Sequence, residues 1–154
     1  MTRPIVVDAS VAVKWLVPES DSVVAMQILD GSYELHAPRL LVSEITNVLW
    51  RITVSRSLEG LDAHRVVAEV EGMSLQWTDD EAICVEALRI ALELGHPAYD
   101  CMYLALAIRI GGLVVTADRR FVSVVDSTKY KPFVIPLWDF FGNDNGGLVH
   151  FRTP

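Results

Sequence analysis

The sequence is poor in cysteine, and its two thiols, Cys84 and Cys101, have no metal-like spacing to each other. A disulfide scaffold is excluded, and both residues fall in helical patterns where a free thiol is usually a small core residue. No His-x-x-x-His pair and no cysteine cluster occurs, so zinc finds no recognisable ligand set. Long apolar runs are also missing. Asp100 and Arg109 bracket the stretch Cys101–Ile108, far short of the roughly 20 residues a membrane helix needs. Asp8 interrupts the apolar segment that follows Met1-Thr2-Arg3-Pro4, which does not suit a signal peptide, and a cytoplasmic location is expected.

Basic residues are the scarcer charge, 13 Lys plus Arg against 20 Asp plus Glu, for a net charge of −7. An acidic chain is a poor prior for nucleic-acid binding. The imbalance is regional, however. Residues 62–100 hold nine acids against two bases, Arg65 and Arg89, which accounts for the whole −7. The rest of the chain is balanced and can still offer a basic surface to an anionic partner. With 154 residues, 51% of them hydrophobic and 21% charged, the chain suits one globular domain with one apolar core.

Short β-branched runs alternate with helical patterns. Pro4–Val7 reads as a buried strand ending at Asp8-Ala9-Ser10, where a helix begins that stops before Pro18. Ser20 or Asp21 caps a second helix that ends at Gly31, and Tyr33–Ala37 reads as a strand. Pro38 suits the first turn of a helix carrying Leu41, Ile45, Val48 and Ile52, and residues 62–71 form a shorter, more polar one. Leu75-Gln76-Trp77 is an edge strand. Thr78-Asp79-Asp80-Glu81 has the form of a capping box and opens a helix running to Gly95. Tyr99–Ile110 is apolar nearly all round and so deeply buried, Leu113–Thr116 is a second buried strand, and Phe133-Val134-Ile135 is the last. This alternation predicts an α/β fold, a central parallel sheet of four to five strands flanked by helices on both faces. The domain is expected over 1–141, with a turn-rich tail over 142–154.

In an open parallel sheet the site lies outside the carboxyl ends of the strands. Asp8 directly follows the first buried strand, and Asp118 lies two residues beyond Thr116 at the end of the second. Asp100 opens the apolar helix between them, where a helix N-terminus tolerates negative charge. Glu44 is the only acid between Leu35 and Arg56, with Asn47 and Arg51 on its own helical face. Carboxylates gathered at one sheet edge repel one another unless a hard cation neutralises them, and an all-oxygen set suits Mg²⁺ or Mn²⁺.

Val6-Val7-Asp8-Ala9-Ser10, Ser43-Glu44-Ile45-Thr46-Asn47-Val48-Leu49, Tyr99-Asp100-Cys101-Met102-Tyr103-Leu104-Ala105 and Thr116-Ala117-Asp118-Arg119-Arg120-Phe121 occur in that order. Together they resemble the four signature segments of PIN-domain ribonucleases, closest in order and spacing to the VapC-type toxins of bacterial toxin–antitoxin pairs. The resemblance implies a metal-dependent endoribonuclease cleaving single-stranded RNA, with one or two Mg²⁺ or Mn²⁺ ions. Asp8, Asp100 and Asp118 are the implied ligands, and Glu44 orients the attacking water. Ser10 and Thr116 match hydroxyl positions that orient a carboxylate, and Asn47 a polar position that supports the glutamate. Where some members carry a further acid after the last aspartate, Arg119 and Arg120 stand here. A cognate VapB-type antitoxin and a homodimer are implied as partners.

Lys14, Arg51, Arg119 and Arg120 lie within a few residues of the acidic segments and are candidate phosphate contacts, with Arg119 and Arg120 expected to lead. Trp15 and Trp50 are expected in core or interface, with base stacking as the alternative. His96 reads as a loop residue, and any exposed part of Trp50, Phe140 and Phe141 suits an interface. Two other readings stay open. One is a non-catalytic PIN-like interaction module. The other is an aspartyl phosphotransferase using Asp8, disfavoured because position 10 is Ser where a second aspartate is required.

Overall fold

The computed structural model describes residues 3–31, 33–56, 60 and 62–141, so the expected tail over 142–154 lies outside the described residues. Five parallel strands form one sheet: β1 (Ile5–Val7), β2 (Leu35–Pro38), β3 (Gln76–Thr78), β4 (Leu113–Thr116) and β5 (Val134–Pro136). Their order is β3-β2-β1-β4-β5. Seven α-helices connect them among the described residues: α1 (Ala9–Leu16), α2 (Ser22–Leu29), α3 (Leu40–Arg56), α4 (Ala63–Glu71), α5 (Cys84–Leu94), α6 (Ala98–Ile110) and α7 (Arg119–Val125). No described helix is long and apolar enough to cross a membrane.

Every residue of β1 and β4 is buried, as continuous Val/Ile/Leu strands require when helices cover both faces of a parallel sheet. Val7 pairs with Val115 at the centre of the sheet, and the Asp8 N–H donates to the Val115 carbonyl at 3.1 Å, carrying the pairing one residue further. Gly112 enters β4 so close to β1 that an added Cβ would lie 2.5 Å from the Pro4 carbonyl oxygen. The all-apolar middle of α6, Cys101–Ala107, is wholly buried against β1, β2 and β4. Truncating Leu104 or Leu106 to Ala there costs about 2–5 kcal/mol.

Several local expectations are corrected. Pro38 closes β2, paired with Thr78, instead of opening a helix. Thr78-Asp79-Asp80-Glu81 is no capping box: Asp79 makes no capping bond, and the Asp80 carboxylate accepts from the Leu40 N–H at 3.0 Å, capping α3 from across the fold. Asp21 precedes α2 in the left-handed region at φ 64° and makes no side-chain cap. Cys84 is exposed, while Cys101 is buried as expected. Trp15 is structural, its indole N–H donating to the Ala25 carbonyl at 2.8 Å to tie α1 to α2. Phe140 is core, 2% exposed and edge-on to Tyr33, and Trp50 is 62% exposed.

Candidate metal and phosphodiester site

The strand order reverses between β1 and β4, the switch point where a parallel sheet opens a crevice at its carboxyl edge. A cavity of about 370 Å³ lies there. Asp8, Glu44, Asp100 and Asp118 all line it, although they come from the end of β1, from α3, from the first turn of α6 and from the start of α7. Ser10, Asn47, Lys14 and Arg51 also line it. Arg119 and Arg120 are not among the lining residues.

Asp8 is buried and held by two hydroxyls: Ser10 Oγ donates to Oδ2 at 2.5 Å and Thr116 Oγ1 to the same oxygen at 2.7 Å. The same hydroxyls fix the next segment, since Ser10 Oγ accepts from the Ala117 N–H at 2.9 Å and Thr116 Oγ1 from the Asp118 N–H at 3.0 Å. Ser10 and Thr116 thus lock the ends of β1 and β4 together. Asp118 caps α7, its Oδ1 accepting from the Arg120 and Phe121 N–H groups at 2.8 and 3.1 Å. Glu44 accepts from the Tyr103 hydroxyl. His96 is buried, and its Nε2 bonds Asp100 Oδ2 at 2.6 Å.

Burial is the main force raising the carboxyl pKa values here. It pushes the Asp8 carboxyl up to about 6 against the bonds from Ser10 and Thr116, with the Asp100 and Asp118 charges adding to the rise. It pushes Glu44 up to about 7, opposed by Tyr103 and reinforced by Asp8 and Asp100. Asp100 is also raised by burial, with the His96 hydrogen bond opposing.

The carboxylates line a cavity without closing on one point: among the described residues no three His, Cys, Asp or Glu side chains meet as a finished ligand shell. The donor set nevertheless fits a hydrated hard cation. It is all oxygen and mutually repelling, and Mg²⁺ keeps several waters while using one or two carboxylates. The cationic neighbours differ in freedom. Lys14 Nζ donates to the Ser20 carbonyl at 2.9 Å and pairs with Glu19 at 3.4 Å. Arg119 lies over the Trp138 ring at 4.4 Å, and the Arg120 charge favours ionised Asp100.

Sequence reasoning missed His96 and Tyr103. The available signals were a histidine four residues before Asp100 and one hydroxyl in the otherwise apolar run Cys101–Ile108.

The PIN domain family model matches residues 5–126, which contain all four acids. Ribonuclease VapC3 of Pyrobaculum aerophilum is 32% identical over 118 residues, covering 75% of this chain and 90% of that protein. The crystal structure of PAE2754 from Pyrobaculum aerophilum superposes with a TM-score of 0.60 at 25% identity, over 90% of this chain and 86% of the other. A toxin–antitoxin complex from Klebsiella pneumoniae gives a TM-score of 0.58 at 8% identity, over 86% and 97%. FitAcB from Neisseria gonorrhoeae gives 0.54 at 17%, over 87% and 98%, and these two likenesses concern the fold alone. On the family match and the VapC3 identity, the chain belongs to the PIN domain family.

Proposed function

We propose that this protein is a metal-dependent endoribonuclease of the VapC type, the toxin of a type II toxin–antitoxin pair, acting in the cytoplasm on single-stranded RNA. The observation that carries this reading is the gathering of Asp8, Glu44, Asp100 and Asp118 around one polar cavity at the switch point of the sheet. Asp8, Asp100 and Asp118 hold Mg²⁺, for which Mn²⁺ substitutes, as one or two ions. A divalent ion lowers the pKa of water and offsets the charge that develops on a phosphodiester.

The chain's own residues supply the rest. Glu44, its carboxylate held by the Tyr103 hydroxyl, orients the attacking water. Ser10 and Thr116 keep Asp8 in one orientation, and Asn47 adds a polar group to the cavity wall. Arg51 at the cavity is the leading phosphate contact; Arg119 and Arg120, just past Asp118, and Lys14 add positive charge around it.

A cognate VapB-type antitoxin and a second copy of the chain are the proposed protein partners. An almost wholly apolar cleft of about 170 Å³ between α3 and α4, lined by Leu49, Trp50 and Val66, supports such contacts.

Induced expression of wild type and Asp8→Asn with mapping of RNA ends tests the reading. Wild type should generate new ends bearing 5′-phosphate and 3′-hydroxyl, and the variant should not. Equal cleavage by Asp8→Asn and Asp100→Asn, or cleavage by purified protein in excess EDTA, would sink it.

A further inference from the structure

His96 is a buried ionisable side chain that the reading above leaves unused. Its side chain is 3% exposed. The local chain dictates that placement. Gly95 ends α5 in the left-handed region at φ 61°, a conformation glycine adopts without steric cost, and the His96 N–H donates to the Ala91 carbonyl at 3.1 Å. Pro97 at φ −52° then starts α6, so the chain reverses around the imidazole.

Two contacts hold the ring. Nε2 meets Asp100 Oδ2 at 2.6 Å, and the ring face stacks on Phe121 with centroids 5.3 Å apart and planes 28° apart. Phe121 belongs to the first turn of α7, where its own N–H donates to Asp118 Oδ1. One side chain therefore grips Asp100 directly and braces the helix that Asp118 caps.

We infer that His96 is a positioning residue for the divalent-cation site, holding Asp100 by one oxygen and α7 by its ring face so that Asp100 and Asp118 keep a set separation across the cavity. The inference rests on the reading of those two aspartates as ligands. An Asp on the first turn of a helix otherwise samples several rotamers, and a cation must offset the entropy of ordering it. Pinning Oδ2 removes that cost in advance and leaves Oδ1 for the ion. Partners that orient ligands in this way are typically worth about 10–100-fold in metal affinity.

Manganese titrated calorimetrically into the metal-free full chain, without RNA, tests the assignment. His96→Phe keeps an aromatic face for Phe121 but has no donor, whereas His96→Gln puts an amide nitrogen where Nε2 stood. His96→Phe should weaken Mn²⁺ binding about 10–100-fold, and His96→Gln should recover most of the loss. His96→Asn, whose amide corresponds to Nδ1, carries the same expectation as His96→Phe and replaces it if that variant fails to fold. Wild-type affinity in the Phe and Asn variants, or no recovery in His96→Gln, overturns the inference.

RNA cleavage by the same samples separates this result from the ribonuclease reading. Wild type that binds Mn²⁺ but cuts no RNA overturns that reading and leaves His96 to be judged by affinity. Wild type that cuts RNA while all His96 variants bind Mn²⁺ equally overturns the role of His96 alone. Wild type that binds no Mn²⁺ overturns both.

Discussion

Tyr103 in the apolar middle of α6 donates its hydroxyl hydrogen to Glu44 of α3, 59 residues away in sequence. The phenol is 1% exposed, and burial, together with the Asp8 and Glu44 charges, pushes its pKa well above the ordinary range, so it remains a donor. Tyr103→Phe removes that donor and leaves a half-buried carboxylate oxygen unpaired. Unfolding free energy should fall by about 1–3 kcal/mol, measured in urea titrations of the metal-free protein. An unchanged midpoint would show that the bond contributes nothing to stability.

Asp118 has two separable duties, because Oδ1 caps α7 while the carboxylate charge faces the cavity. Asn caps a helix about as well as Asp, and Ala does not cap it. Asp118→Asn should therefore stay within a few tenths of a kcal/mol of wild type in EDTA, while Asp118→Ala loses about 0.5–2 kcal/mol. Both should abolish RNA cleavage. Thermal melts paired with a cleavage assay distinguish the two duties, and equal melting of the two variants contradicts the cap.

The acids make the metal-free fold sensitive to pH in a defined direction. Asp8 is raised from 3.8 to about 6 and Glu44 from 4.5 to about 7 in the folded chain. Between those limits the folded state binds more protons than the unfolded state, so the slope of stability with pH is negative. Their contribution is complete below the unfolded values and is lost as pH rises through about 6 and then about 7. Melting temperature in EDTA should fall across this window relative to Glu44→Gln, whose amide does not titrate there. Mn²⁺ should restore stability most strongly on the alkaline side, since ligands must be deprotonated to bind. A wild-type melting temperature that rises with pH relative to Glu44→Gln is the contrary result.

Thr116 is fully buried, donates to Asp8 and accepts from the Asp118 N–H. Thr116→Val keeps the shape and removes both bonds. Leaving the partly buried amide unpaired should cost about 1–3 kcal/mol, and cleavage should fall because Asp8 loses one of its two hydroxyl donors. Denaturant titration checks the first effect and initial cleavage rates the second. Full activity at unchanged stability would contradict both.

What was legible in the sequence is whatever chain-local physics decides. Asp8 and Asp118 could be read because each follows a short β-branched run, and such runs become the central strands of a parallel sheet. Glu44 stood out as a lone acid on an apolar helix, and the structure turns that face to the cavity together with Asn47 and Arg51. The misreadings occurred where a side chain serves a distant segment. Asp80 looked like part of its own helix cap but caps α3, 40 residues back. His96 is a loop residue between α5 and α6, as expected, but nothing local reveals that its side chain is buried there, and Tyr103 was hidden among aliphatic neighbours that are equally buried. Phe140 sits in the core because Tyr33, more than a hundred residues earlier, supplies its partner ring.

The neighbouring positions of β1 and β4 make the machinery a late product of synthesis. Thr116 meets Asp8 across 108 residues of chain, so a ribosome must have released most of the domain before the central strand pair can close. Sheet contacts of such long range form slowly, and shorter nascent chains lack Asp118 altogether. A growing chain of this protein therefore carries Asp8, Glu44 and Asp100 well before the strand pair that brings Asp118 beside them can form.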